Sequence, residues 1–387
     1  MTTSVAPLDA SPAGHHVSKA RVAHLTSVHS AFDVRIFHKE CRSLAAAGYE
    51  VLLIVTHEKA ETVEGVHICP VAQNGARRHR MTSTVREVYR RALESGASLF
   101  HFHDPELLPV GILLKLKGKR VIYDAHENLA DDILTKDWIP RSMRRLVSSI
   151  AGLVEASSIA AFDAVVAATP KIADNFPEAK RALIQNYPII GELESNIEAP
   201  YAQRAARVFY LGSITEMKGA TQMVEAIHRV PERLSPRLLM LGDVESPGLG
   251  VKLSHLSGWN RVDLLGFQQR SHVPDFARRA RIGLVLFQPL PNYEDSQPNK
   301  LFEYMSTGLP VIASNFPHWR AVIEDAGCGL LVDPQSPNAI AEAITWLLDN
   351  PREAEAMGKR GQEAVRSTYN WDTQAEKLLD LYDRVLR

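Results

Sequence analysis

The chain has 387 residues, enough for two domains of ordinary size at about 150 residues each. Apolar residues make up 45% and charged residues 23%, the balance of a globular protein with two cores. Forty-four Lys and Arg against 45 Asp and Glu leave a net charge of -1, which argues against nucleic-acid binding by bulk charge. Cys41, Cys69 and Cys328 lie far apart with no CxxC pair, which argues against a disulfide scaffold and a Cys-rich zinc site.

The first 20 residues, rich in Ala, Ser, Pro and Thr, contain no apolar h-region and read as a disordered lead-in. No apolar run reaches the ~18 residues of a spanning helix, so the expectation is a cytoplasmic protein. Strands are expected at 21–28, 49–55, 97–103, 119–126 and 163–169, with helical spacing over 33–47, 106–116 and 141–161 between them. A segment with no sustained period and two prolines, 186–205, reads as a linker. Strands resume at 207–213, 236–243, 261–266, 281–287 and 308–314, and the tail from Pro337 is helical with breaks near Pro351 and Asn370. Alternating strands and helices imply an α/β chain of two tandem Rossmann-like, doubly wound domains with parallel sheets. The expected boundaries are 21–190 and 191–371, with a last helix at 372–387. Such sheets bind ligands beyond the carboxyl ends of their strands, so two of them would frame a cleft there.

Chemistry-bearing residues cluster just after strands. In YEDSQPNKLFEYMSTGLPVIAS (293–314) the acids Glu294 and Asp295 precede Pro298, which starts a helix carrying Asn299, Lys300 and Leu301 in its first turn and Glu303 one turn in. Free N–H groups and the positive dipole end suit a phosphate there, and Glu303 suits neutral hydroxyls. A capped helix with solvated charges is the plainer alternative. In YLGSITEMKGATQMVEAI (210–227) a strand ends at Gly212 and Ser213, and Lys218 with the next glycine opens a helix. A lysine at a helix start with no ligand fits equally well.

Eleven of the fifteen histidines fall within the first 126 residues. HFHDPEL (101–107) and YDAHEN (123–128) place His103, Asp104, His126 and Glu127 at strand ends, but without a tight ligand spacing. HSAFDVRIFHKEC (29–41) sets Asp33 and Arg35 at a helix start; Arg35 is a candidate for phosphate or acceptor contact, and Asp33 fits an N-cap as well as a ligand. ARRHR (76–80) and WIPRSMRR (138–145) are basic. The second mixes Trp138 with Arg141, Arg144 and Arg145, an interfacial pattern that a solvated helix start would also produce.

The 293–314 segment resembles the signature of glycosyltransferase family 4 (glycosyl transferases group 1): an acid, seven residues, a Glu, a helix, then a small-Gly-x-Pro-Val-Ile strand. Glu303 matches the second acid and LPVIAS the strand. Counting eight back selects Asp295 as the first acid, where members usually carry Glu, and Glu294 takes that place if the loop is one residue longer. Residues 212–219 resemble the family's Gly-x5-Lys-Gly loop, with Ser213 where many members carry a basic residue. His126 matches a strand-end His near the donor sugar, whereas the Gly-Gly pair common in the first loop is replaced by HSAFD.

The resemblance implies a retaining enzyme of GT-B fold that moves a sugar from a nucleotide-diphosphate donor to a glycan or lipid-linked acceptor, in cell-surface polysaccharide synthesis, with the last helix crossing back to the first domain. It implies His126, Lys218, Asp295 and Glu303 as catalytic residues. Gly212, Ser213, Glu294, Pro298, Asn299, Lys300 and Leu301 complete the donor site, and Asp33, Arg35, His103 and Asp104 stand on the acceptor or phosphate side. Fixed cations replace a divalent metal, so no metal or other cofactor is expected. Peripheral contact with the inner face of a membrane through Trp138, Arg141, Arg144 and Arg145 is the further expectation. A GT-B epimerase and a non-catalytic nucleotide-binding relative remain alternatives. A dinucleotide oxidoreductase is weaker, because GxGxxG is missing after the first strand.

Overall fold

The computed structural model describes residues 19–72, 80–136, 139–193 and 200–387. Fourteen strands are present among them: β1 (Arg21–Leu25), β2 (Glu50–Thr56), β3 (Glu61–Val63), β4 (Val66–Val71), β5 (Leu99–Phe102), β6 (Arg120–Ala125), β7 (Ala164–Ala167), β8 (Arg181–Leu183), β9 (Arg207–Leu211), β10 (Arg237–Leu241), β11 (Val262–Leu264), β12 (Ile282–Val285), β13 (Val311–Ser314) and β14 (Gly329–Val332). They form an eight-stranded sheet in the order β3-β4-β2-β1-β5-β6-β7-β8 and a six-stranded sheet in the order β11-β10-β9-β12-β13-β14. The chain is therefore α/β with two parallel sheets, strands alternating with helices.

Backbone packing groups the residues as Met1–Ile122 with Leu386–Arg387, and as Tyr123–Val385. In the first unit, β1 pairs in parallel with β2 and β5, setting Ala23 against Leu52 and against Phe100. These strands are buried on both faces, which is why they read as unbroken apolar runs. One edge departs from the parallel pattern: β3 and β4 form an antiparallel hairpin, turned by Glu64 and Gly65, both in the left-handed region. Two positive φ values in a two-residue loop match the twist of the strands it joins. The expected helix over 33–47 is a π-helical turn, Ile36–Cys41, running into an α-helix, Arg42–Ala46.

In the second unit, successive side chains on the inner strands of the second sheet enter opposite cores. Val208 and Tyr210 of β9 join Leu238, Met240, Ile282 and Leu284 beneath the helices Ala220–Arg229 and Pro337–Asp349. Phe209 joins Leu239, Val285, Val311 and Ala313 beneath Asn299–Ser306 and Pro317–Ala326. Tyr304 lies flat against β12, where a Cβ on Gly283 would come within 2.4 Å of its ring, so only glycine fits. The Tyr304 hydroxyl accepts the Leu211 N–H at 2.8 Å, tying that helix to the end of β9. The tail forms Pro337–Asp349, Pro351–Ser367 and Trp371–Leu386, with breaks at the expected residues.

Candidate functional site

In the second unit, three post-strand segments converge. The chain leaves β9 at Gly212 with φ of 115°, a conformation open to glycine, and a Cβ there would lie 3.3 Å from the Lys300 amine. The loop after Gly212 is fixed from several sides. Tyr210 donates its hydroxyl proton to the Ser213 carbonyl at 2.8 Å, and the Thr215 hydroxyl accepts the Lys218 N–H at 3.1 Å. Lys218 then donates from its amine to the Ser213 hydroxyl at 2.5 Å.

Lys300 sits in the first turn of Asn299–Ser306, whose N-cap is Pro298. Its amine lies 3.9 Å from the centroid of the Tyr210 ring and 5.5 Å from that of Phe287, and no hydrogen-bond partner is found for it among the described residues. Aromatic faces carry a cation without neutralising it, and the positive end of the helix dipole adds to the charge there. Burial, and then the charge of Lys218, push the Lys300 amine well below the usual lysine value. Burial also lowers Lys218, against the pull of Glu245. Two partly desolvated amines beside a helix N-terminus form a seat for an anion.

Glu303 follows one turn later, nearly buried, and Arg270 donates from Nη1 to its Oε1 at 2.9 Å. Arg270 also donates from Nε to Glu192 at 2.5 Å. Neither Arg270 nor Glu192 stands out in the sequence. A lone Arg in a loop after β11 has no motif, and its position beyond a strand end was the one signal available.

Of the two acids before the helix, Glu294 ends the short helix Pro291–Glu294, while Asp295 is half-exposed with Lys171 3.8 Å away. The loop is held by the Trp319 indole, which donates to the Ser296 carbonyl at 2.7 Å. His126 is partly exposed, its Nε2 2.9 Å from the buried Asp124. This pairing holds the ring in one orientation.

The first unit is arranged differently. Asp104 is buried and gathers Thr26 Oγ1 at 2.8 Å, the Ser27 N–H at 2.5 Å and His29 Nδ1 at 3.0 Å. Burial works against its charge, but the bonds from His29, Ser27 and Thr26 outweigh it and lower the carboxyl to about 2. Asp104 thus fastens the loop after β1, the loop that lacks a Gly-Gly pair. Asp33 accepts the N–H groups of Arg35 and Ile36 at 2.8 and 2.9 Å, which makes it a cap. Arg35, expected to meet phosphate or acceptor, is instead turned inward and pairs with buried Glu40 at 3.0 Å.

His103 Nε2 lies 2.9 Å from His24 Nδ1, both buried, and Glu40 Oε2 stands 3.8 and 3.9 Å from the two rings. Glu40, His101 and His103 bring potential ligand atoms within 4.8 Å of one another. Arg35, however, already balances the charge of Glu40, which weakens this set as a seat for a dication. Trp138 and residues 76–79 lie outside the described residues.

Residues 195–364 match the family described as glycosyl transferases group 1, and residues 34–183 match the glycosyl transferase 4-like domain. The chain is 24% identical over 344 residues to the phosphatidyl-myo-inositol mannosyltransferase of Mycobacterium tuberculosis, a match covering 84% of each. It is 28% identical over 185 residues to spore coat protein SA of Bacillus subtilis; that match takes in 46% of this chain and 48%, about half, of that relative. Two solved structures share the fold. Sucrose-phosphate synthase of Thermosynechococcus elongatus superposes with a TM-score of 0.72 at 20% identity, over 95% of this chain and 99% of that one. Anabaena HepE, in complex with UDP and glucose, gives 0.73 at 14% over 95% and 100%. With the two family matches falling on successive halves and both solved folds spanning nearly the whole chain, this protein belongs to the glycosyl transferases group 1 family and is a GT4-type glycosyltransferase of GT-B fold.

Proposed function

We propose that this glycosyltransferase is a retaining enzyme that takes its sugar from a nucleoside-diphosphate donor and passes it to a glycan or lipid-linked glycan, in the building of cell-surface polysaccharide. The observation that carries the donor class is the pair Lys218 and Lys300, two partly desolvated amines close enough for each charge to be felt by the other, with Lys300 in the first turn of Asn299–Ser306. HepE is a fold relative whose structures hold UDP and UDP-glucose, which supports the same donor class.

In the reaction, the bond from the sugar C1 to the diphosphate oxygen breaks and a bond from C1 to the acceptor oxygen forms on the same face. The acceptor's proton passes to the departing diphosphate. Lys218, Lys300 and the N–H groups after Pro298 stabilise the charge that develops on the diphosphate, the place another fold gives to a metal ion. Glu303 holds ribose hydroxyls. Asp295, or Glu294 in its stead, orients the transferred sugar, and His126 contacts that sugar. Asp33, Arg35, His103 and Asp104 hold the acceptor-side loop in shape.

The acceptor reading gains support from the helix Arg141–Ala161. Met143, Leu146, Ile150, Leu153 and Val154 are exposed along it at helical spacing, with Leu153 69% exposed. Arg141 and Arg145 are exposed at its start, while Arg144 donates to the carbonyls of Ile139 and Leu134. An apolar stripe with cations at one end suits the surface of an anionic membrane, at the cytoplasmic face. None of the helices among the described residues is long and apolar enough to cross one.

The test is a thermal-shift screen of UDP-, GDP- and ADP-sugars on the purified protein, followed by NMR of the product's anomeric configuration. Stabilisation by one donor and a retained anomer are expected. An inverted product would overturn the mechanism, and no stabilisation by any donor would overturn the donor class.

A further inference from the structure

The Glu303 carboxylate is nearly buried, and a buried carboxylate keeps one orientation only where a partner holds it. The holder is Arg270, which begins the turn after β11 and meets Glu303 Oε1 at 2.9 Å. Burial alone would weaken the guanidinium. The hydrogen bond to Glu192 and the charge of Glu303 prevail and hold it above the usual arginine range. Glu192 belongs to the turn closed by its own N–H to the Ile189 carbonyl at 3.2 Å, in the segment that joins the two sheets. That turn is seated: Ile189, Gly191 and Leu193 line a small cavity with Ser306 at the end of the Glu303 helix. Glu192, Arg270 and Glu303 therefore form one ionic chain, with Arg270 bridging the two acids.

We infer that Arg270 is a positioning residue for donor binding: it pairs with the Glu303 carboxylate and keeps it aimed at the ribose, and Glu192 in turn fixes Arg270. This inference rests on the donor-site reading above. A planar guanidinium can bridge two carboxylates in fixed geometry, and an ammonium cannot reproduce both contacts. Because ribose is held equally before and during sugar transfer, weakening this grip raises the donor's KM and leaves kcat nearly unchanged.

The experiment titrates the full-length chain calorimetrically with UDP, GDP and ADP, and separately with inorganic pyrophosphate, which has no ribose. Wild type, R270Q, R270K, E192Q, E303Q and the R270Q/E303Q double variant are compared. For the nucleotide that wild type binds, R270Q is expected to weaken affinity about 10-fold or more, the loss typical of a hydrogen bond to a charged group. R270K falls between R270Q and wild type, and E192Q shows a smaller loss. Pyrophosphate affinity stays unchanged in R270Q, and the R270Q effect disappears in the E303Q background. Steady-state kinetics with the matching sugar nucleotide show the loss in KM. If R270Q does not fold, R270K and E192Q carry the same comparison. Equal nucleotide affinity in wild type and the Arg270 variants, or an equal loss for pyrophosphate, overturns the inference while leaving the donor site standing. If wild type binds none of the three nucleotides, the donor-site reading fails and the inference with it.

Discussion

Both units place polar side chains beyond their strand ends, but they use them in opposite ways. After β1 and β5 the groups meet each other: Asp104 is met by Thr26, Ser27 and His29, Arg35 pairs with Glu40, and His24 stands beside His103. After β9 and β12 two amines are gathered near each other, and the buried one, Lys300, rests on aromatic faces. Satisfied networks hold a loop in shape. Gathered like charge is unfavourable until an anion arrives, so it marks a binding seat. The same residue types therefore carry different meanings, and the clearest difference is the buried Lys300 amine, for which no hydrogen-bond partner is found among the described residues.

Ways to break that contrast can be ranked by expected effect. Lys218→Ala should lower turnover by about 10²–10³, the usual cost of removing one donor from developing charge. Turnover near that of wild type would remove Lys218 from the mechanism. Next come the two acids. Asp295→Asn should abolish most transfer while leaving affinity for free nucleoside diphosphate nearly unchanged, and Glu294→Gln should be mild. The reverse order moves the sugar-orienting role to Glu294, and two mild variants would argue against sugar transfer in this site.

On the framework side, Asp104→Asn should cost about 1–3 kcal/mol of stability, since buried donors lose a charged acceptor. The folded carboxyl, at about 2, lies below its ordinary 3.8. Its stabilisation is therefore complete above that ordinary value and is lost as pH falls towards the folded one. Acid titration of wild type and variant should converge across that window, and parallel curves would refute the role.

Smaller still is the membrane face. Leu146→Gln with Leu153→Gln should leave the melting temperature unchanged, because both side chains are exposed. The pair should reduce sedimentation with vesicles of phosphatidylcholine and phosphatidylglycerol several-fold. Equal sedimentation would dissociate this helix from membranes. The smallest effect is expected from EDTA, which should leave activity intact; abolition rescued by magnesium would show a metal-dependent enzyme.

The contrast also sorts what could be read from sequence. Buried parallel strands such as EVLLIVT are legible because both faces are apolar, and the helix Arg141–Ala161 is legible from its period. The β3–β4 hairpin escapes notice because β3 has three residues and Glu-Gly is a weak turn signal beside Asn-Gly. Lys218, Lys300 and Glu303 belong to local sequence motifs and are legible as such. Arg270 and Glu192 meet only after the chain has folded, 78 residues apart in sequence, so no local pattern announces them. The inward turn of Arg35 is likewise set by Glu40, which sits on the π-helical turn that an ordinary helical reading does not foresee.

The central claim is that the amines beside the Asn299–Ser306 helix form the seat of the donor diphosphate, and Lys300→Met tests it most directly. Methionine keeps the side chain's length and removes the buried charge, so the ligand-free variant should melt higher than wild type at neutral pH. That gain should shrink as pH rises from the depressed value of the folded amine to the ordinary 10.5 of the unfolded one, because over that window the folded amine is neutral while the unfolded one gives up the proton that favoured unfolding. Calorimetric titration with UDP, GDP and ADP should show one nucleotide bound by wild type and at least about 10-fold more weakly by the variant. Equal affinity in the two proteins would contradict the claim.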